Sequence, residues 1–91
     1  MKKYNFSKMI KTIDNSESMK LSIALRTILA TANKIENPLK AYGWYVTLEN
    51  SDELMLDDSD KKLLYNFIEN NDTIYLFVKG PILEVLNNGT D

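Results

Sequence analysis

The sequence predicts an α+β fold: two N-terminal helices, then a small, mainly antiparallel sheet of three to four strands with one inserted helix. Three observations predict it. Apolar residues recur at helical spacing in the first third of the chain, apolar and polar residues alternate at 44–49, and a continuous apolar run fills 74–78. The predicted order is ααββαβ, followed by one element of uncertain type. With 91 residues, of which 44% are hydrophobic, we expect a single small globular domain over 1–91.

The first helix is predicted from about Asn5 to Asp14. Four apolar residues fall on one face of it at i, i+3, i+4 and i+7: Phe6, Met9, Ile10 and Ile13. A polar segment then breaks it, and a second helix is predicted over 16–34, with Ser16 or Ser18 as its N-cap. Its apolar residues keep a 3.6-residue period over four turns: Leu21, Leu25, Ile28, Leu29, Ala32 and Ile35.

The next segment mixes helix and strand signals. An asparagine–proline pair at 37–38 is a favourable helix start, but Gly43 interrupts the pattern, so a short helix is predicted only over 38–42. Residues 44–49 are rich in aromatic and β-branched side chains that alternate, which predicts a strand. A polar turn follows, and 53–56 is predicted to return as the second arm of a hairpin.

A third helix is predicted over 59–69, where apolar residues form a stripe that two asparagines end. The apolar run at 74–78 predicts a strand covered on both faces, ended by the glycine–proline pair that follows it. Residues 81–86 are compatible with an edge strand and with a short helix that the proline opens. The tail 86–91 is expected to fray.

The residue inventory excludes several kinds of site. The chain has no cysteine and no histidine, so disulfides, thiolate zinc sites, cysteine nucleophiles and Ser-His-Asp arrangements are ruled out. We therefore expect a protein that is not an enzyme and that binds no metal and no cofactor. The N-terminus lacks the uninterrupted apolar stretch of a signal peptide, and no apolar run is long enough to span a membrane. A cytoplasmic location without membrane contact is expected.

Charge is distributed unevenly along the chain. Residues 1–40 carry eight basic and three acidic residues, whereas 41–91 carry three basic and ten acidic ones, within a formal net charge of −2. Six carboxylates lie within the stretch 48–60: Glu49, Asp52, Glu53, Asp57, Asp58 and Asp60. Three interpretations are open: a turn and a capped helix start, a cation site, or a negatively charged binding surface. The stretch lacks the calcium-loop pattern, which argues against the cation site.

The acidic stretch supports the leading functional hypothesis, a protein-binding module. The predicted partner is a larger protein with a basic surface, such as a nuclease or another nucleic-acid-binding protein. If the hairpin turn and the following helix start lie side by side, the carboxylates converge at one end of the domain. Trp44 is expected in the core and Tyr45 at the surface. The predicted partner-binding residues are Tyr45, Glu49, Asp52, Glu53, Asp57, Asp58 and Asp60.

Direct nucleic-acid binding is the alternative hypothesis. Basic residues interleave with aromatic ones near the N-terminus and continue on the second helix: Lys2, Lys3, Lys8, Lys11 and Arg26. The pI of about 5.1 and the absence of a nucleic-acid-binding motif argue against it. The opposite charges of the two halves also allow a homodimer that associates head to tail.

Two resemblances bear on these hypotheses. The stretch SIALRTILATANKIEN at 22–37, followed by Trp44, resembles the first segment of AbiTii-type domains from bacterial phage-resistance proteins, where a Leu-Arg pair, alanines and a later tryptophan recur in helices. It covers about a quarter of the chain, and Gly43 with the strand-like residues after it departs from the pattern. In character, this small, acidic, cysteine-free chain is similar to accessory proteins of phages and mobile elements, including anti-CRISPR proteins. That similarity implies an inhibitor that occupies a surface of a host nuclease.

Overall fold

Strands precede helices in the computed structural model of the chain, which describes residues 1–11, 14, 17–32 and 34–89. The elements are, in chain order, β1 (Lys2–Asn5), β2 (Met9–Lys11), β3 (Glu17–Lys20), α1 (Leu21–Thr31), α2 (Pro38–Asn50), β4 (Glu53–Leu56), α3 (Asp58–Glu69) and α4 (Leu76–Asn87). The predicted α+β class is confirmed. The predicted order is wrong, because strands occupy the place of the first predicted helix.

Both sheets in the described ranges are antiparallel pairs of strands. β1 pairs with β4 in a register that runs from Lys2 opposite Leu56 to Asn5 opposite Glu53. β2 pairs with β3, and its register contains an irregularity. The predicted strand at 53–56 is confirmed, but its neighbour is β1 and not the residues just before it.

The helix predicted over 5–14 does not form. The side-chain oxygen of Asn5 accepts a hydrogen bond from the backbone N–H of Ser7 at 2.8 Å, and this local bond competes with helix formation. Tyr4 and Phe6 alternate into the core and are almost completely buried. The segment therefore has the period of a strand as well as that of a helix, and pairing with β4 decides between them.

α1 begins later than predicted and has no side-chain cap. Ser18, one of the two predicted N-cap residues, lies in β3. The chain between β1 and β2 binds the first backbone N–H groups of α1. Leu21 donates to the carbonyl of Lys8 at 2.9 Å, and Ser22 donates to the carbonyl of Phe6 at 2.8 Å. Backbone carbonyls from a separate segment thus take the place of the N-cap side chain that the sequence predicts.

α2 runs through the residues predicted as a strand. Asn37 caps it, since its side-chain oxygen accepts from the N–H of Lys40 at 3.2 Å, and Pro38 takes the first position, as the sequence predicts. The helix does not end at 42 but continues to residue 50. The strand prediction for 44–49, and the hairpin built on it, are therefore wrong.

The buried face of α2 explains its length. Three core residues lie at i, i+3 and i+7: Ala41, Trp44 and Leu48. This helical period overrides the β-propensity of the aromatic and β-branched residues between them. Gly43 is tolerated because the packed face does not depend on it. Trp44 is buried, as the sequence predicts.

The helix predicted over 59–69 is confirmed as α3, Asp58–Glu69. Its N-cap is Asp57, whose Oδ1 accepts from the backbone N–H of Asp60 at 2.7 Å. The helix ends at Asn70, within the predicted asparagine pair.

α4 replaces the strand predicted at 74–78. It starts within that run and continues through Gly80 and Pro81, which do not end it. Of the two possibilities for 81–86, the helix is observed. A continuous apolar run fits a buried strand and a buried helix equally well, and the spacing of the core residues decides in favour of the helix. Those residues lie four positions apart: Ile82 and Leu86.

Some predicted features fall on residues outside the described ranges: Ile13 of the first helix, Ser16 as an N-cap, and Thr90 and Asp91 of the tail. Leu86 and Asn87, at the start of that tail, belong to α4.

The buried side chains form one cluster to which both sheets and all four described helices contribute. Its fully buried members are Phe6, Leu21, Leu25, Leu54, Leu56, Leu64, Ile68, Ile82 and Leu86. β4 supplies Leu54 and Leu56, β1 adds the buried Tyr4 and Phe6 follows β1, so the N-terminal segment is part of the core. None of the helices in the described ranges reaches the length and apolarity that crossing a membrane requires.

Candidate functional site

An apolar groove of about 1160 Å³ opens between α1, α3 and the segment 70–75. Its apolar side chains come from β3, all four helices and the connecting loops: Met19, Ala24, Ile28, Ala32, Ile35, Trp44, Leu63, Phe67, Ile74, Tyr75 and Val78. A cavity of this volume with a mainly apolar lining has the character of a binding site.

α1 forms one wall of the apolar groove. Ala24, Thr27, Ile28 and Thr31 fall at i, i+3, i+4 and i+7 and share one face of the helix. The two threonine hydroxyls donate to their own helix: Thr27 Oγ1 to the carbonyl of Ile23 and Thr31 Oγ1 to that of Thr27, both at 2.9 Å. With these hydroxyls satisfied locally, the wall is effectively apolar.

The opposite wall of the groove is α3, and the turn after it leads to the opening. Leu63 and Phe67 supply its apolar surface. Oδ1 of Asn71 accepts from the backbone N–H of Thr73 at 3.0 Å and from its hydroxyl at 2.6 Å. These two bonds fix the path of the chain from α3 into Tyr75.

Three consecutive large apolar side chains surround the start of α4; we call Tyr75, Leu76 and Phe77 the groove rim. Tyr75 is 83% exposed and also lines the groove, Leu76 is 75% exposed, and Phe77 is 46% exposed. Large apolar side chains clustered in water beside an apolar cavity are typical of interaction surfaces.

The six carboxylates of the acidic stretch do not lie together. They form two groups at opposite ends of β4: Glu49, Asp52 and Glu53 at its start, and Asp57, Asp58 and Asp60 beyond its end. Three extended residues separate Glu53 from Asp57, which places these two about 13 Å apart along the strand. Convergence at one end of the domain required the hairpin, which does not form.

Asp52 holds the start of β4 to the start of α1. Its carboxylate accepts hydrogen bonds from Oγ of the buried Ser22 at 2.6 Å and from Nζ of Lys20 at 3.2 Å. These bonds, that of Ser22 above all, lower the pKa of the Asp52 carboxyl below its ordinary value. Its backbone carbonyl accepts from the N–H of Phe6 at 2.7 Å.

The second acidic group also has structural contacts. Asp60 forms an ion pair with Lys40, and this hydrogen bond raises the pKa of the Lys40 ammonium. Asp57 is the N-cap of α3. Four carboxylates of the stretch have no ion pair among the residues that the structure describes: Glu49, Glu53, Asp58 and the helix cap Asp57.

The ion pairs in the described ranges connect the basic first part of the chain to its acidic second part. Each joins a basic residue of 1–40 to an acidic residue of 41–91: Lys8 to Glu84 at 3.9 Å, Lys20 to Asp52 at 3.2 Å, and Lys40 to Asp60. Part of the charge difference between the two halves is therefore compensated within the chain.

The predicted nucleic-acid-binding residues lie on several elements. Lys2 and Lys3 are on β1, Lys8 follows it, Lys11 is on β2, and the half-buried Arg26 is on α1. Lys3 shares a small cleft with Glu53 and Glu84. Carboxylates therefore accompany the lysines of this surface.

Two further observations concern contact and metal binding. Tyr45, the predicted contact residue, is half-buried on α2, whereas Tyr42 is far more exposed. The described part of the chain contains no group of three acidic, histidine or cysteine residues placed to hold a metal ion.

Sequence reasoning missed the apolar groove and its rim. Assigning 74–78 to a doubly covered strand implies that Leu76 is buried, whereas it is exposed. The spacing of Val78, Ile82 and Leu86 was an available signal. As a helical stripe it places Leu76 and Phe77 on the other side of the helix.

Fold and site together define a small α+β domain with an open apolar groove. Comparisons with protein-family models, with curated proteins and with solved structures found no match. The geometry of the chain itself is the basis for a functional proposal.

Proposed function

We propose that the protein is a non-enzymatic protein-binding module that receives an amphipathic helix of a larger protein in the apolar groove. The observation that carries this proposal is the apolar groove with Tyr75 in its lining, a side chain that is 83% exposed. Burying such side chains against a partner stabilises a complex by about 25 cal/mol per Å² of apolar surface.

The chemistry of the lining favours a protein ligand over a small polar molecule. Small-molecule sites use a few convergent polar groups to orient the ligand. In this groove the hydroxyls of Thr27 and Thr31 bond their own helix, and Asn71 bonds Thr73. Five further polar or charged residues line the groove beside its apolar ones, so a segment that carries both apolar and polar side chains fits it: Lys34, Glu36, Asn66, Asn70 and Asp72.

The shape of the groove favours a helical segment. Its walls are two helices, α1 and α3, and a groove of this kind accepts a third helix whose apolar residues recur at i, i+3, i+4 and i+7. Tyr75 at the opening is placed to cover such a helix from the side. The partner is therefore expected to present an amphipathic helix.

The sequence-based hypothesis adds that the partner is a nucleic-acid-handling protein with a basic surface, such as a nuclease that the module inhibits. Glu49, Glu53 and Asp58 support this addition, because they have no ion pair among the described residues. They are available to meet basic residues of a partner. Asp52 and Asp57 are less suitable, since both are already hydrogen-bonded within the fold.

The test is capture of partners by the tagged full chain from a lysate of the cells that express it. Wild type is compared with the double variant Tyr75→Ser/Leu76→Ser and with Met55→Ser, an exposed apolar residue of β4 outside the groove. A partner bound through the rim is retained by wild type and by Met55→Ser and lost by the double variant. The loss of one anchor worth about 2 kcal/mol weakens binding roughly 30-fold, so with purified components the double variant should show at least that loss of affinity.

Further variants and a nuclease treatment in the same experiment distinguish the groove from the other possible binding surfaces. Equal capture by all three proteins would contradict the groove proposal. A partner lost on Glu49→Lys/Asp58→Lys, and weakened by salt, would assign binding to the carboxylates. Loss of every partner after nuclease treatment would favour direct nucleic-acid binding through the lysines of the N-terminal strands.

A further inference from the structure

A chemically reactive pair of residues follows α4. Asn88 is the C-cap of this helix, and Gly89 comes directly after it. Asn88 is the one asparagine of the chain that precedes a glycine. The side chain of an asparagine can react with the backbone nitrogen of the next residue. A glycine at that position favours the reaction, because no Cβ hinders the approach to its nitrogen.

Asn88 is exposed, and its side chain is held by a local bond. Its Nδ2 donates to the carbonyl of Glu84 at 2.8 Å, and its backbone N–H donates to that of Val85 at 3.0 Å. Both bonds belong to the end of a helix, where local opening costs least. The ψ angle of Asn88 is 34°, which is already outside the helical range. Opening of the Nδ2 bond therefore frees the side chain to turn towards the nitrogen of Gly89.

Gly89 is packed against the core and has no room for a side chain. Tyr4, which is 2% exposed, lies directly beside it. A Cβ atom on Gly89 would overlap Cε1 of the Tyr4 ring and would lie 2.6 Å from its Cζ. Tyr4 belongs to β1 and pairs with Leu54 of β4. A change in the path of the chain just before Gly89 therefore acts on the first strand.

We propose that Asn88 is a site of spontaneous deamidation and that the modification uncovers Tyr4. The backbone nitrogen of Gly89 loses its proton and forms a bond to Cγ of Asn88. The side-chain amide nitrogen takes up a proton and leaves as ammonia, which closes a five-membered succinimide. Water then opens this ring at either of its two carbonyls. One product is aspartate, and the other is isoaspartate, whose backbone is longer by one carbon atom.

Both products disturb the end of α4. Loss of Nδ2 removes the donor to the carbonyl of Glu84. The new carboxylate lies at the negative end of the helix dipole, in a cleft that already contains Glu53 and Glu84 beside Lys3. In isoaspartate the additional backbone atom also displaces Gly89, which cannot move closer to Tyr4. The modification therefore loosens the contact between the end of α4 and β1.

This inference is independent of the proposed function. The groove rim surrounds the start of α4, whereas Asn88 follows its last residue. Binding at the rim and modification of Asn88 can therefore be measured separately in the same protein.

Mass spectrometry of the full chain after storage in warm, mildly alkaline buffer tests the site. Trypsin cleaves after Lys79, so Asn87 and Asn88 are compared within one peptide. Asn88 should be converted to the acid about tenfold faster than Asn87, whose successor carries a side chain. The reaction should be slower in mildly acidic buffer, because the glycine nitrogen has to lose its proton. The matched control is Asn88→Gln, which would need a six-membered ring and should remain unmodified.

Hydrogen exchange tests the consequence for Tyr4. Backbone amides of β1 should exchange faster in the modified protein than in the unmodified one, while those of α2 should not change. Gly89→Ala forces a Cβ against Tyr4 without any deamidation and should have the same effect on β1. Asn88→Asp supplies the aspartate product directly and should lower the Tm by roughly 4 °C.

Two results would overturn the proposal. Equal conversion of Asn87 and Asn88, or conversion of Asn88 in urea but not in native buffer, would show that the folded protein has no such site. Unchanged exchange of β1 both in the modified protein and in Gly89→Ala would show that Gly89 does not cover Tyr4.

Discussion

At the scale of single residues, Asp52 connects three parts of the fold. Its carboxylate accepts from Ser22 at the start of α1 and from Lys20 at the end of β3, and its backbone carbonyl accepts from Phe6. Hydrogen bonds to an ionised group are shorter and stronger than those between neutral groups. A carboxylate that the sequence assigns to partner binding therefore has a structural role.

Asp52→Asn should lower the Tm at neutral pH, and its effect should depend on pH. The pKa of Asp52 is lowered in the fold, so the ionised form is favoured there. The stabilisation is therefore complete above the unfolded-state pKa, and it is lost as pH falls through the lower folded-state pKa. Melting curves of both proteins from about pH 7 to about pH 3 should show a difference that is constant above about pH 5 and shrinks below about pH 4. Glu49→Gln, an exposed carboxylate, is the control; a difference for Asp52→Asn that does not change with pH would contradict the prediction.

At the scale of elements, α3 shows how the acidic stretch is divided between structure and surface. Asp57 caps the helix with its side chain, whereas the neighbouring Asp58 is exposed in the first turn. The cap satisfies a backbone N–H that the helix leaves free, and the first-turn carboxylate acts only through the helix dipole. Adjacent aspartates therefore differ in their contribution to stability.

Alanine substitutions should separate these two roles. Asp57→Ala should reduce the free energy of unfolding by about 1 kcal/mol, as the loss of an N-cap does. Asp58→Ala should reduce it by only about 0.3 kcal/mol. Urea unfolding followed by circular dichroism measures both. Equal effects of the two substitutions would mean that Asp57 does not act as the cap.

Elements whose signals are local were predictable from the sequence. The N-cap, the apolar stripe and the terminating asparagines of α3 lie in the helix or directly beside it. The Asn37–Pro38 start of α2 likewise needs no distant contact. The other elements depend on partners far away in the chain. β1 becomes a strand because β4 pairs with it, and α1 starts at Leu21 because Lys8 and Phe6 supply backbone carbonyls.

The candidate sites also combine features with local signals, which were predictable, and features that depend on distant contacts, which were not. The carboxylates could be located from composition, but their separation by β4 could not, because it depends on α2 continuing through 44–49. The apolar groove was not predictable, since its walls are separated by two elements in the sequence. Its rim was hidden because an apolar run gives the same pattern whether it is covered or exposed.

At the scale of the whole molecule, the N-terminal segment closes the core. Tyr4 and Phe6 are buried between elements from both halves of the chain, and the described ion pairs also join those halves. Exposed pairs of this kind contribute roughly 0.2–1 kcal/mol each, so burial holds the halves together more than charge does.

Phe6→Ala tests this conclusion. Removing a fully buried phenylalanine should cost about 3–5 kcal/mol, a large share of the stability of a small domain. Met55→Ala, an exposed position on the paired strand β4, should cost less than about 0.5 kcal/mol. Urea unfolding of both variants gives the comparison. A midpoint for Phe6→Ala close to that of wild type would show that the N-terminal strand is dispensable.

The pairing of β1 with β4 also constrains how the chain folds as it is made. β1 cannot pair until residues 53–56 have been synthesised, whereas the carbonyls of Phe6 and Lys8 that bind the first N–H groups of α1 precede that helix in the chain. Until then Tyr4 and Phe6 remain exposed on a nascent chain, where aggregation and chaperone binding compete with folding. Pairing of the first strand therefore waits for β4, and we expect translation arrest before β4 is made to yield chains in which Tyr4 and Phe6 stay exposed.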